Sequence, residues 1–410
     1  MDLLKYAVTA ASAAMLATPA HAAAIVIPDS GDTAWLLASL MLGLAAALPA
    51  IMLLFAAVYG RAYAPRILAA SVSGMAIVAL ATVVIGYSLM FDVTTINSFS
   101  AFIGGGTNKM LALMGTLRDG TTVPETAFVA FQLGFVLLAV TLLSSVLAPR
   151  ARPGWLLGFT LLWFLLVLVP ITRWIWGGGW LEAMGALDAS GGLTIFYATS
   201  VSALVAMLLV GTPEGKDAPA DPAMLLGGAA LLLLGMLAFG SGATLGAGDN
   251  AAVALLSTLI CAATGSLTLA AVRRSLDPAT LALGLIAGTV GAASAGDSPS
   301  PGGAIWIGFL VALAVAITPR LLPKRIGWHD KGALVTSIAA AAKTGALLTA
   351  IFLSFDIFGG SGYPEGMDMI DQLVAQMVAI VAIAAWSAFG TAIAALMVGM
   401  IVPMRAEKAK

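Results

Sequence analysis

The chain has 410 residues, 60% of them hydrophobic and 10% charged, with a formal net charge of −1 and a mean hydropathy of +1.03. That balance excludes a water-soluble globular protein, and the absence of a basic patch beyond short loop clusters excludes a nucleic-acid partner. The single Cys261 rules out an intrachain disulfide and argues against a thiolate metal site. It reads as a small buried hydrophobe, and no cofactor is implied.

Residues 1–22 carry Lys5, an apolar run from Ala7 to Leu16 and then A-H-A at 20–22, the pattern of a cleaved signal peptide. The alternative is an uncleaved extra helix. Cleavage would remove His21 and leave His329 as the one histidine of the mature chain. Beyond it, apolar stretches fall at about 33–58, 67–91, 126–148, 155–174, 191–211, 223–240, 249–272, 279–295, 302–319, 333–354 and 372–403. Most are near the ~20 residues an α-helix needs to cross about 30 Å of hydrocarbon. The expectation is an all-α membrane protein of eleven transmembrane helices over residues 23–403, with a short tail at 404–410.

Lys and Arg set the orientation. With the N-terminus outside, fourteen cations lie on the inner side, eleven of them in loops and three in the tail, whereas only Lys109, Arg118 and Arg173 lie outside. An odd number of spans, N-out and C-in, explains that split. Five spans precede the polar loop GTPEGKDAPADP at 211–222 and the next five follow it, with the eleventh beyond them, which suggests an inverted 5+5 repeat. A local echo supports this: Asp188 opens the fifth span with Phe196 eight residues on, and Asp330 opens the tenth with Ile338 eight residues on. GGGTNK at 104–109 lacks phosphate-loop spacing and lies outside. No catalytic constellation occurs in the spans, so an enzyme is not expected.

The most informative stretch is RWIWGGGWLEAMGALDASGGLTIFYATS at 173–200. Gly177, Gly178 and Gly179 mark an irregular segment at the membrane edge, and Gly191 and Gly192 offer the next helix a flat face for close packing. This WGGG…GALDxxGG pattern resembles the Amt/Mep/Rh ammonium transporter family. Supporting fragments occur in order: GDTAW at 31–35, GYSLMFD at 86–92, AFQLGF at 130–135, APR at 148–150 and GAIWIGFL at 303–310. The resemblance implies a homotrimer in a cell membrane, most simply a bacterial inner membrane, with one pore per subunit conducting ammonia or ammonium.

Carried over position by position, the family's outer cation-recruitment phenylalanine, tryptophan and serine match Phe131, Trp176 and Ala243. Its paired-phenylalanine gate matches Phe135 and Phe239. For each aromatic, plain helix packing is the competing reading. The twin pore histidines match Phe196 and Ile338, so the imidazoles that could relay a proton or hydrogen-bond an amine are missing. His329 reads as a solvated helix-end residue. After Pro403 only MRAEKAK remains, so regulation by a PII-type partner, which the family's longer tail binds, looks weakened or lost.

Lys343 is a further departure, near the centre of the tenth span with no charge within eleven residues on either side. At the bilayer centre a lysine costs about 2.5–3.5 kcal/mol, so a role or a partner is expected. The spacing puts Lys343 roughly 7.5 Å and Asp188 roughly 12 Å outward of the two replaced histidine positions. Three readings follow: a pair with Asp188 (or a contact with Tyr197), a pore-facing charge that repels ammonium, or a side chain snorkelling outward. Function divides likewise between an ammonia/ammonium channel of altered mechanism and a repurposed member: a sensor, a structural membrane subunit, or a pore for another small neutral solute.

Overall fold

The computed structural model describes residues 27–92, 99–211, 220–321, 332–354 and 359–405. The signal-peptide stretch, His329 and Asp330 lie outside these residues. Eleven apolar helices follow in chain order: α1 (Ser30–Tyr59), α2 (Arg61–Phe91), α3 (Glu125–Leu147), α4 (Pro153–Ala183), α5 (Gly192–Val210), α6 (Pro222–Gly242), α7 (Asp249–Arg273), α8 (Pro278–Ala292), α9 (Pro301–Leu321), α10 (Ala333–Phe352) and α11 (Met369–Gly399). Ten are long and apolar enough to span a membrane; α8, with 15 residues, is the short one. The chain is a multi-pass membrane protein.

Local chemistry sets the helix ends. Asp29, Asp221, Asp277 and Asp368 sit in extended conformation and accept backbone N–H groups of the first turns of α1, α6, α8 and α11, satisfying donors that the helix leaves unpaired. Pro222 and Pro278 follow two of these caps at the position where a missing N–H costs nothing. Arg61 adds an ion pair to Asp221 at 2.8 Å, tying the start of α2 to that of α6. Within the apolar stretches, one-turn π segments interrupt α2 at Thr82–Gly86 and α4 at Phe164–Leu168, and open α5 at Gly192–Tyr197.

The packing bears the imprint of a repeat. In the first half α1 and α2 both pack on α3, α2 on α4, and α3 on α5. In the second half α6 and α7 both pack on α8, α7 on α9, and α8 on α10. The halves meet where like positions touch, α1 along α6 and α5 along α10, while α11 closes over α4, α5 and α10. This is the 5+5 arrangement that the sequence suggested.

Small residues make the contacts close. A Cβ on Gly235 of α6 would stand 2.5 Å from the backbone nitrogen of Ala47 in α1, and one on Gly284 of α8 would stand 2.6 Å from the carbonyl oxygen of Gly265 in α7. One on Gly288 would overlap the carbonyl of Cys261 in α7. In hydrocarbon, where no water drives helices together, such backbone approach supplies the dispersion contacts that hold a bundle. Cys261 itself is buried, its Sγ donating to the Ala304 carbonyl at 3.1 Å.

Gly288→Val forces α7 and α8 apart and should cost about 1–3 kcal/mol, as overpacking does. Thermal unfolding in detergent reads this as a lowered midpoint, whereas the same change at Gly227, with open space around its Cβ position, should leave it nearly unchanged.

Candidate functional site

Two irregularities of α4 and α5 build the site. The regular part of α4 ends at Trp176, capped by Gly177, and Gly178 turns the chain at φ +79° within α4. After the short turn Trp180–Ala183 the chain enters the fold again, and Asp188 and Ser190 fasten it there. The Asp188 carboxylate accepts the N–H groups of Leu193 at 3.0 Å and Thr194 at 2.7 Å, and its carbonyl accepts the indole N–H of Trp176 at 2.6 Å. Ser190 donates its hydroxyl to the Ala293 carbonyl at 2.9 Å. Burial raises the Asp188 carboxyl above the usual carboxylate range, opposed by those two N–H bonds. Gly191, at φ +89°, then starts the π turn in which Phe196 donates its N–H to the Gly191 carbonyl at 2.9 Å.

Above this turn lies an outer cavity of about 240 Å³ whose walls include Phe131, Phe135, Trp176 and Ala243. The structure therefore brings together all three residues matched to the recruitment site, with one of the paired phenylalanines. Phe239, the other member of that pair, lies directly against them. Its ring centroid is 5.0 Å from Phe135 and 5.9 Å from Phe131, and Phe135 is 5.2 Å from Trp176. Phe239 is fully buried because its ring occupies a notch between Gly43 of α1 and Gly134 of α3. A Cβ at either glycine would come within 2.7–2.9 Å of the ring. Phe196 and Ile338 are both buried, and the π turn bearing Phe196 packs on α10, which carries Ile338. The described residues contain no histidine.

Lys343 departs from the ion pair drawn for it. It makes no ion pair among the described residues and is exposed, on the same stripe of α10 as the half-buried Ala339 and Leu347. Asp188 is occupied with the start of α5 instead. The reason is angular: Lys343 and Ile338 are five residues apart, which at about 100° per residue separates them by about 140° around the helix. With Ile338 inside, Lys343 points away from the core, and it makes no ion pair with Asp188.

Arg118 is the residue that sequence reading missed, having entered only as one of three outer cations. It is also in the cavity wall, with Asp119 and Glu182. Its guanidinium carbon lies 4.4 Å from the Phe128 ring centroid and 5.4 Å from that of Phe91, a cation–π geometry. Nη1 is 3.6 Å from the Glu125 carboxylate, which also accepts the Tyr87 hydroxyl. A narrow turn delivers it: Arg118 donates its N–H to Val123 at 3.0 Å, and Glu125 to Thr116 at 3.0 Å. No motif spacing announces this, because the turn brings Arg118 beside aromatics of two separate helices.

Asp188→Ala strands two buried N–H donors and should lower stability by about 1–3 kcal/mol, with Asp188→Asn retaining part of the loss. Lys343→Met should add to it within about 0.5 kcal/mol, as residues without a shared contact do. Thermal unfolding of the two single variants and the double variant measures both effects.

Comparison with known proteins bears on the whole chain. The profile described as Ammonium Transporter Family matches residues 34–410. The chain is 26% identical to the ammonium transporter of Aquifex aeolicus, covering 93% of this chain and 90% of that protein. It is 27% identical to ammonium transporter Amt1 of Archaeoglobus fulgidus, covering 92% and 94%. In three dimensions it resembles the crystal structure of Saccharomyces cerevisiae Mep2 with a TM-score of 0.80 at 24% identity, over 92% of this chain and 90% of that one. It also resembles a structure described as a sensor Amt protein, with a TM-score of 0.78 at 19% identity, over 92% and 95%. An eleven-helix inverted repeat with an aromatic outer cavity, matched over nearly its whole length by this profile and these relatives, makes the chain a member of the ammonium transporter family.

Proposed function

We propose that the protein passes ammonia derived from ammonium through a pore in each subunit of a homotrimer, by a route that uses no imidazole. The observation that carries this reading is the continuous aromatic path from Trp176 through Phe135 to Phe239 below the outer cavity. An ammonium ion entering the cavity meets the faces of Phe131 and Trp176, an attraction of about 0.5–2 kcal/mol. Ala243 contributes no hydroxyl there, so the ion keeps one more water than it would beside a serine.

Deeper in the chain the chemistry changes. Phe196 and Ile338 can neither accept nor relay a proton. An ion stripped of water beside them would lose a few kcal/mol or more, whereas neutral ammonia has far less hydration to lose. At the aromatic pair Phe135 and Phe239 ammonium gives its proton to solvent water on the wet side of the rings, and only ammonia goes on. Transport coupled to proton relay through twin histidines is replaced by passage of the neutral species.

Arg118 tunes the entrance. Its fixed charge opposes accumulation of a cation in the cavity, while Asp119, Glu182 and the nearby Glu125 balance it. At about 1 kcal/mol for a pair of charges near 4 Å in water, Arg118→Gln should lower the half-saturating ammonium concentration by about fivefold.

The test is purified protein in liposomes given an ammonium jump, beside empty liposomes. The expected outcome is faster, saturable internal alkalinisation without saturable current. A saturable current would mean that charge crosses and would overturn passage of the neutral species. Absence of both responses would support the second reading, favoured by the missing imidazoles, of a sensor, a structural membrane subunit or a pore for another solute. Placing histidine at both Phe196 and Ile338 should add current if the relay alone is missing.

A further inference from the structure

One turn beyond Phe196 the chemistry of α5 changes. Thr199 and Ser200 are fully buried, and neither side-chain hydroxyl has a hydrogen-bond partner among the described residues. A hydroxyl inside an apolar helix ordinarily returns to the carbonyl four residues back. In this chain Thr82 donates to the Val78 carbonyl at 2.8 Å, Thr141 to Leu137 at 2.8 Å, Ser241 to Leu237 at 2.7 Å and Thr349 to Gly345 at 3.0 Å. For Thr199 and Ser200 the carbonyls four residues back, those of Ile195 and Phe196, belong to the π turn. The ladder there is irregular, with the Ala198 N–H shared between the Leu193 and Ile195 carbonyls, and the usual return bond is not made. A buried hydroxyl without a partner is costly, and each one calls for a reason.

Placement supplies the reason. Helix α5 runs inward from the outer cavity, whose wall includes Ala189. At about 100° and 1.5 Å per residue, Thr199 lies roughly 60° to one side of Phe196 and Ser200 roughly 40° to the other. Both are about 4.5–6 Å further along the helix on the same rise. The two hydroxyls therefore bracket the Phe196 face just past the apolar block of Phe196 and Ile338, where the π turn and α5 both pack on α10. Ser202 is equally buried and equally unpartnered, but it lies about 120° round α5 from Phe196.

We propose that Thr199 and Ser200 form a hydrogen-bonding station for ammonia that does part of the work of an imidazole. This rests on the passage of neutral ammonia proposed above. Ammonia carries one lone pair and three N–H groups. One hydroxyl donates to the lone pair while the other accepts an N–H, which Phe196 and Ile338 cannot do. Neither hydroxyl takes up a proton, so the station eases the neutral molecule past the apolar block without relaying charge. Ammonium has no lone pair to accept with, and two hydroxyl oxygens leave two of its four N–H groups bare in apolar surroundings.

The experiment follows ammonia-driven alkalinisation of liposomes holding the full chain, its variants or no protein. Thr199→Val and Ser200→Ala each remove one hydroxyl with little change of shape. Each should slow the protein-dependent rate about fivefold, the size of one net hydrogen bond. The half-saturating ammonium concentration should not move, because the outer cavity sets it. Thr199→Ser, which keeps the hydroxyl, should retain the rate, and Ser202→Ala should leave it unaltered. The melting midpoint of the Thr199→Val, Ser200→Ala double variant in detergent should hold or rise, since two unpartnered polar groups are gone. A lowered midpoint would assign the hydroxyls to bonds within the protein and overturn the proposal. So would an undiminished rate in the double variant, or equal slowing by Ser202→Ala. If the unaltered chain alkalinises liposomes no faster than empty ones, the transport reading fails and the station falls with it.

Discussion

Helices in hydrocarbon have no excluded water to push them together, so a bundle of this kind depends on how closely backbones can approach. Here that approach is concentrated at glycines. Gly235 against Ala47 joins the two halves along α1 and α6, while Gly265, Gly284 and Gly288 lock α7 to α8. These contacts do more than add dispersion energy. They set the spacing between the halves, and everything between the halves inherits its geometry from them.

The aromatic site shows that dependence. Phe239 is at the end of α6, and its ring fits only because Gly43 and Gly134 lack side chains. The ring is thereby held against Phe131 and Phe135, and Phe135 against Trp176. Trp176 in turn is held by the Asp188 carbonyl, while the carboxylate of the same residue organises the π turn carrying Phe196. One chain of contacts thus runs from a glycine notch at the seam of the repeat to Phe196. A π turn at that point is consistent with a site under functional constraint, where regular helix geometry is given up to aim a side chain.

Charge is placed with the same economy. Asp188, Arg118 and Glu125 are all turned inward and partnered, by backbone N–H groups in the first case and by aromatic faces and each other in the rest. Lys343 is the exception, an exposed cation halfway along a membrane helix. Among the described residues its ammonium makes no ion pair.

Composition and periodicity determined most of the architecture. Eleven apolar stretches, five before a polar loop and six after it, sufficed for the helix count and the inverted repeat. Each is a local or additive property that burial in lipid reads directly. The residues of the aromatic site were legible too, but only by resemblance, since isolated phenylalanines look alike whether they pack or bind. What only the tertiary structure decided were angles and neighbours. Lys343 and Asp188 matched in height along their helices, yet the turn of α10 set them apart. Arg118 was one loop cation among three until a tight turn laid it on Phe128. Height along a helix follows from counting residues, whereas facing and contact depend on how helices distant in sequence are rotated against one another.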